Sequence, residues 1–271
     1  TIAAAGRISE FFGIKYKLFG YKTLRKLLHH NYTRFLLQKC LPRYESLITH
    51  TSQATEFSRE HGFTKPLIQI PFSLYKEDVV YNENRHGLHC VITGSIQASC
   101  RDHIGSLDVF ESLWDDGYNK LKLTILSSAH SGEGRHLLPR LRCLKDKGYN
   151  INYYTDWIEE DEFLRVAGDA DIFLSPLNLN YYSCGELTSG IVEAVRQGRP
   201  GIYPDGYLPD KTIETSSLFY KSLDDLKDIF VGLISDDNKI KELSLHAIIN
   251  SEKYSLEEVA KVFSSQVKEI L

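Results

Sequence analysis

The sequence predicts an α/β protein built on a doubly wound parallel sheet. Three observations carry this prediction. Between residues 88 and 220, short apolar runs of strand length alternate with amphipathic runs of helix length, the pattern of crossover units. Small residues and glycines stand just after several of the apolar runs, where such a sheet binds its ligands. The composition supports a large core: 271 residues, 42% hydrophobic and 25% charged, with a net charge of -4.

Taken in order, residues 24–41 place Leu24, Leu27, Leu28, Phe35, Leu36 and Leu37 at helical spacing, and Pro42 stops that helix. A short strand follows at 46–51, centred on Leu47 and Ile48. Thr51 or Ser52 then caps a helix that runs to about His61 and is closed by Gly62. Another apolar strand, 67–72, is interrupted by Pro71, and the polar stretch 75–87 has the composition of a linker. The chain therefore divides into residues 1–85 and residues 86–271. Beyond the boundary, strands are expected at 88–93, 120–126, 151–154, 171–175, 200–203 and 217–220. Helices are expected between them at 105–114, 134–147, 159–167 and 189–197. Helices at 223–234 and 238–250 follow, and the last begins at a Ser255/Glu258 capping box.

Several classes are excluded or disfavoured. No apolar run approaches the roughly 18 residues of a membrane-spanning helix, and no signal-peptide pattern opens the chain. The five cysteines, Cys40, Cys90, Cys100, Cys143 and Cys184, are widely spaced and read as reduced, buried thiols of a cytoplasmic protein. The ten histidines show no metal spacing, so no metal and no cofactor is expected. Neither Gly-x-Gly-x-x-Gly after the first strand of the 88–220 region nor a Walker lysine motif is present.

Residues 1–43 carry nine Lys or Arg against one acid, a net of +8, interleaved with Phe11, Phe12, Tyr16, Phe19, Tyr21, Tyr32 and Phe35. This is either a solvated helical face or a docking surface for an anionic membrane, where each nearby cation contributes about 1 kcal/mol. No nucleic-acid motif accompanies the charge, so no nucleic-acid partner is expected.

The stretch Asp169-Ala170-Asp171-Ile172-Phe173-Leu174-Ser175-Pro176, followed by Ser189-Gly190-Ile191-Val192-Glu193-Ala194 and then Gly198-Arg199-Pro200, resembles the donor-binding half of retaining GT-B glycosyltransferases of the glycosyltransferase 4 type. The resemblance covers 88 to the end of the chain and, more weakly, 44–72. It implies a GT-B fold, with a Rossmann-like nucleotide-sugar-binding domain at 86–271 and a partial acceptor-side domain at 1–85. About 85 residues is half a domain by usual size, so the chain is expected to be a fragment or to lack its early part.

The resemblance also implies roles for individual residues. Glu193 corresponds to the carboxylate that accepts both ribose hydroxyls of a nucleoside diphosphate sugar, a bidentate contact its two oxygens allow. Gly94, Ser95, Ser189 and Gly190 belong to the donor-binding turns, where helix N-termini face phosphate. Trp157 stands where the nucleobase is held, either stacking on it or filling the strand-to-helix corner. The family places an Arg after the first-strand glycine and a Lys further on, meeting the charge that grows on the leaving phosphate. Here Ser95 follows Gly94, and His103 and Ile104 stand where the Lys is expected, which leaves Arg101 as the candidate phosphate partner.

The family's sugar-contacting glutamate lies eight positions before the ribose glutamate, but position 185 is Gly185 and the nearest acid is Glu186. Glu186 is assigned that role, beside Tyr181, Tyr182 and Ser183. The short spacing, the absence of methionine and the first residue Thr1 together predict an omitted methionine between Glu186 and Glu193; a genuine deletion is the alternative.

The function this implies is retaining transfer of a sugar from a nucleoside diphosphate sugar to a saccharide or lipid-linked acceptor, an EC 2.4 activity serving surface polysaccharide or glycoconjugate synthesis. The place implied is the cytoplasm, at the inner face of the membrane. The rivals are a non-catalytic GT-B-like binding subunit, which the altered Arg and Lys positions favour, and a nucleotide-sugar epimerase.

Overall fold

The computed structural model of the chain describes residues 44, 46–72, 87–129, 132–182, 187–207 and 210–270. The basic segment 1–43 with its helix at 24–41, nearly all of the linker, Cys40, Cys184 and Glu186 lie outside the described residues. The described residues fall into two compact units, one of 44, 46–47 and 58–66 and one of 48–57 and 67–270.

The first elements among the described residues are β1 (Leu47–Thr49), α1 (Ser52–Glu60) and β2 (Leu67–Gln69), and β1 and β2 form a two-stranded sheet. In the first unit, Gly62 takes φ +90°, as a helix-closing glycine does. Phe63 returns its N–H to the Ser58 carbonyl at 3.0 Å, and Arg59 Nη1 donates to the carbonyls of Phe63 and Lys65, each at 2.8 Å. In the second unit, Thr51 is the cap of the two offered by the sequence, its hydroxyl accepting the Ala54 N–H at 3.0 Å.

The second unit is dominated by a six-stranded sheet of β3 (Leu88–Thr93), β4 (Leu121–Ser128), β5 (Ile151–Tyr154), β6 (Ile172–Leu174), β7 (Gly201–Pro204) and β8 (Ser217–Tyr220). The strand order is β5-β4-β3-β6-β7-β8 and every pair is parallel. The helices α2 (His103–Asp115), α3 (Gly132–Asp146), α4 (Glu160–Gly168) and α5 (Ser189–Arg196) lie between strands in sequence. They are followed by α6 (Leu223–Ser235), α7 (Asp237–Glu252) and α8 (Leu256–Ile270). The chain starts at a central strand, winds to one edge, returns to the centre and winds to the other, so the order reverses between β3 and β6. All six residues of β3 are buried, as expected of a parallel strand covered on both faces.

The core gathers Cys90, Ile92, Leu107, Phe110, Leu123, Ile125 and Phe230, with the rings of Phe110 and Phe230 meeting edge-on at 4.8 Å. Each large aliphatic or aromatic side chain fully buried there contributes about 1.5–3 kcal/mol. The Gln266 side chain of α8 brackets the backbone of Gln69, accepting its N–H and donating to its carbonyl at 3.0 Å each.

Three details differ from expectation. α2 begins at His103 rather than 105, because Asp102 serves as N-cap and accepts the Gly105 N–H at 2.8 Å. A 3-10 turn at Lys211–Ser216, capped by Asp210, was not foreseen. Cys90 and Cys100 are buried, but Cys143 is exposed, because it lies on the outward side of α3. No helix among the described residues is long and apolar enough to cross a membrane.

Candidate functional site

The reversal of strand order opens a crevice at the carboxyl ends of β3 and β6, between the connections 94–102 and 175–182. These connections are tied together by backbone. Arg101 and Leu177 form an antiparallel bridge, the Asp102 N–H donates to the Pro176 carbonyl, and the Asn178 N–H donates to the Cys100 carbonyl, the last two at 2.8 Å. Side chains on this ledge are therefore held by hydrogen-bonded backbone.

Gly94, Arg101 and Ser189 converge there. Gly94 has φ +92°, and a Cβ at this position would sit 2.5 Å from both Arg101 Nη2 and Ser189 Oγ. Glycine is thus required for its backbone conformation and for its missing side chain. Arg101 is 5% exposed, and its Nη1 donates to the carbonyl and the hydroxyl of Ser95 at 3.1 and 3.3 Å. The Tyr182 ring lies 5.9 Å from its Cζ. Among the described residues no carboxylate forms an ion pair with Arg101. Burying a charge without a counter-ion costs several kcal/mol, so the arrangement suits an anionic ligand that supplies the missing charge.

Helix α5 starts at the crevice. The Thr188 hydroxyl accepts the Ile191 N–H at 3.5 Å, and the N–H groups of Ile191 and Val192 both reach the Thr188 carbonyl at 3.1 Å. Glu186, from which the omitted-methionine expectation is counted, lies outside the described residues. A side chain at Gly190 would overlap the Ser175 hydroxyl, so this glycine lets the helix start close against the end of β6. The unpaired N–H groups of a helix's first turn favour an anion.

One turn on, Glu193 is 8% exposed. Its Oε1 lies 3.5 Å from Arg196 Nη1, while its Oε2 is buried without a hydrogen-bond partner among the described residues. Burial raises its pKa above the ordinary carboxylate value, against the opposing pull of Arg196. The hydroxyls of Thr93 and Ser175 and both ring nitrogens of His103 are likewise buried and unpartnered. Buried polar groups are normally satisfied, so each of these leaves hydrogen-bonding capacity open; Thr93 and Ser175 both border Gly190 at the start of α5, whereas His103 lies at the start of α2.

His103 is 4% exposed. Burial, reinforced by the Arg101 charge, brings its pKa down to about 4, so the ring is neutral at physiological pH; the nearby Arg101 carbonyl and Asp102 carboxylate oppose this only in part. The sequence offered a signal for Thr93 and Ser175, since each is a polar residue closing an apolar strand. Nothing in the sequence marked His103 as more than a replacement for an expected lysine.

Trp157 follows β5, an edge strand, and is 82% exposed. It does not fill the strand-to-helix corner. No group of three or more potential metal ligands occurs among the described residues. Beside Arg101, a cavity of about 410 Å³ opens at the start of α2, with His103, Asp102, Glu133, Asn178 and Ile96 among its walls.

No protein-family model and no curated protein matches the sequence. Solved structures do match. TarM aligns at a TM-score of 0.64 and 14% identity, over 86% of this chain and 45% of that one. The pneumococcal O-GlcNAc transferase GtfA, solved with UDP and GlcNAc, aligns at 0.60 and 13%, over 89% and 48%. A trehalose-6-phosphate synthase, studied for glycosyl transfer with retention, aligns at 0.62 and 12%, over 88% and 63%. The chain thus spans about half the length of TarM and GtfA. The fold is the Rossmann-like GT-B fold of glycosyltransferases.

Proposed function

We propose that this chain is the nucleotide-sugar-binding part of a retaining glycosyltransferase of the glycosyltransferase 4 type. The observation that carries the reading is the buried Arg101, without a carboxylate partner among the described residues, one glycine away from the start of α5. In this reading the donor diphosphate takes the place of Arg101's missing counter-ion and meets the first-turn N–H groups of α5. Ser95, where the family has arginine, anchors Arg101 instead of binding phosphate. Glu193 Oε2 accepts a ribose hydroxyl, Trp157 stacks on the nucleobase, and Glu186 reads the sugar.

Charge grows on the departing phosphate in the transition state, and the fixed guanidinium stabilises it there. The same phosphate takes the acceptor's proton, so no side-chain base is required. The acceptor is a saccharide or lipid-linked saccharide, as in surface polysaccharide or glycoconjugate synthesis. Residues 1–43, with their net charge of +8, hold the protein on the anionic inner face of the membrane.

The second reading, a non-catalytic GT-B-like subunit, draws on the single cation where the family has two. Incubation with a panel of nucleoside diphosphate sugars and saccharide acceptors separates them. Release of nucleoside diphosphate with a product of unchanged anomeric configuration is expected. Tight donor binding with neither transfer nor hydrolysis would establish the second reading.

A further inference from the structure

The buried guanidinium of Arg101 poses a charge problem that Ser95 answers only in part. Its Nη1 donates to the carbonyl and the hydroxyl of Ser95, both neutral acceptors, and among the described residues no carboxylate forms an ion pair with it. A carboxylate would neutralise the charge, but it would also take up N–H donors and repel an incoming anion. An aromatic face does neither. It attracts a cation through the negative potential above the ring and leaves the N–H groups at the edge of the guanidinium available.

Tyr182 supplies such a face. Arg101 Cζ lies over its ring, 5.9 Å from the centroid, within the reach of a cation–π contact. Backbone fixes where the ring stands. The Asn178 N–H donates to the carbonyl of Cys100, the neighbour of Arg101, at 2.8 Å, and the Asn178 carbonyl accepts the N–H groups of Tyr181 and Tyr182 at 2.8 and 3.2 Å. The rings of Tyr181 and of the buried Tyr207 meet Tyr182 edge-on, with centroids 5.2 and 6.2 Å away. The ring and the cation it faces thus belong to one hydrogen-bonded ledge. Arg101 Nη2 lies beside Gly94, as does the Ser189 hydroxyl at the start of α5.

We propose that Tyr182 is a positioning residue for anion binding: its ring stabilises and orients the buried Arg101 charge in the ligand-free protein and leaves the Nη2 donors to the anion. The effect on binding rests on the donor-diphosphate reading of Arg101; the stabilisation of the cation by the ring does not. A buried cation is thereby held without a carboxylate counter-ion that a ligand would have to displace.

The test is calorimetric titration of the whole chain with inorganic pyrophosphate and with UDP, GDP and ADP, in wild type and in Tyr182→Phe, Tyr182→Leu and Tyr182→Met. Phenylalanine keeps the aromatic face and should bind within about twofold of wild type. Leucine and methionine remove that face in two different shapes, so the comparison survives if one of them fails to fold, and each should bind about fivefold more weakly. In an Arg101→Ala background the same substitutions should make no further difference, because the ring acts through the guanidinium. A residue that only packed the loop would weaken binding in both backgrounds. The proposal is overturned if the ring-free variants bind as tightly as wild type, if Tyr182→Phe is as weak as Tyr182→Leu, or if the losses persist in full without Arg101. Any of these, with wild type still binding, removes the positioning role alone. No binding of any of the four probes to wild type removes the donor reading and the positioning role together.

Discussion

Arg101 Nη1 donates to the Ser95 carbonyl at 3.1 Å, which fixes a buried guanidinium across the turn that Gly94 makes possible. The turn and the cation form one device. The carbonyl and hydroxyl of Ser95 orient the fork but do not neutralise it, so holding the buried positive charge there costs part of the protein's stability.

Arg101→Lys should therefore weaken nucleoside diphosphate binding at least about tenfold although the charge is kept, because an ammonium cannot keep the two contacts to Ser95 while reaching the ligand. Calorimetry on the variant decides this. Affinity equal to wild type would mean that charge alone matters.

Gly94→Ala should destabilise the chain by about 1–3 kcal/mol, since it combines an unfavourable backbone conformation with a clash against Arg101 and Ser189. In an Arg101→Ala background the clash with the guanidinium disappears and only part of the penalty should remain. Urea unfolding of the single and double variants gives both numbers. An additive result would show that Gly94 and Arg101 are not coupled.

Glu193→Gln separates stability from function. The Glu193 pKa is raised in the folded state, so its carboxyl favours folding when protonated and opposes it increasingly as pH rises through that value. The Gln variant should be more stable than wild type by about 1 kcal/mol at neutral pH, with the difference shrinking in acid, and should bind nucleoside diphosphate more weakly. A variant that is less stable at pH 7 would contradict the unpartnered Oε2.

His89 predicts acid sensitivity. Its ring is held between the Asp169 carbonyl at 3.0 Å and the Thr124 hydroxyl at 2.8 Å, and burial, with Lys122 nearby, brings its pKa from 6.5 to about 4. His103 is lowered to the same extent. Below pH 6.5 the unfolded chain takes up protons that the folded chain refuses, so stability present at pH 7 is lost as pH falls towards 4. Each histidine contributes about 3 kcal/mol across that window. Urea unfolding between pH 7 and pH 4.5 measures the slope, and His89→Gln should flatten it. An unchanged slope would assign the acid sensitivity to other groups.

Most of the parallel sheet was legible because its strands are short apolar runs closed by Gly, Ser or Thr, as at Thr93-Gly94 and Ser175-Pro176. All six strands of that sheet and the helices after them stand where the periodicity placed them, to within a residue or two. The misses have local causes: Asp102 looks like loop until its carboxylate is seen on the Gly105 N–H. In the crevice, Gly94, Ser95, Ser189 and Gly190 were pointed to by their place after a strand or at the start of the next helix, and Glu193 by the family resemblance; the structure describes all five, while their donor-binding roles remain the proposal. What the sequence does not show is burial. That Arg101 lies inside without a described carboxylate, or that His103 is neutral and unpartnered, depends on contacts between segments more than seventy residues apart, such as Arg101 with Leu177.

In the proposed function, the crevice between β3 and β6 binds a nucleoside diphosphate through Arg101 and Glu193. The most direct measurement is thermal unfolding of wild type, Arg101→Ala and Glu193→Ala with each nucleoside diphosphate, its monophosphate and the free nucleoside. At a ligand concentration 100 times its dissociation constant, one diphosphate should stabilise wild type by about 2.7 kcal/mol. The Arg101 variant should lose the preference for diphosphate over monophosphate, and the Glu193 variant should bind both more weakly. No stabilisation of wild type by any nucleoside diphosphate, or equal stabilisation of all three proteins, would contradict the account.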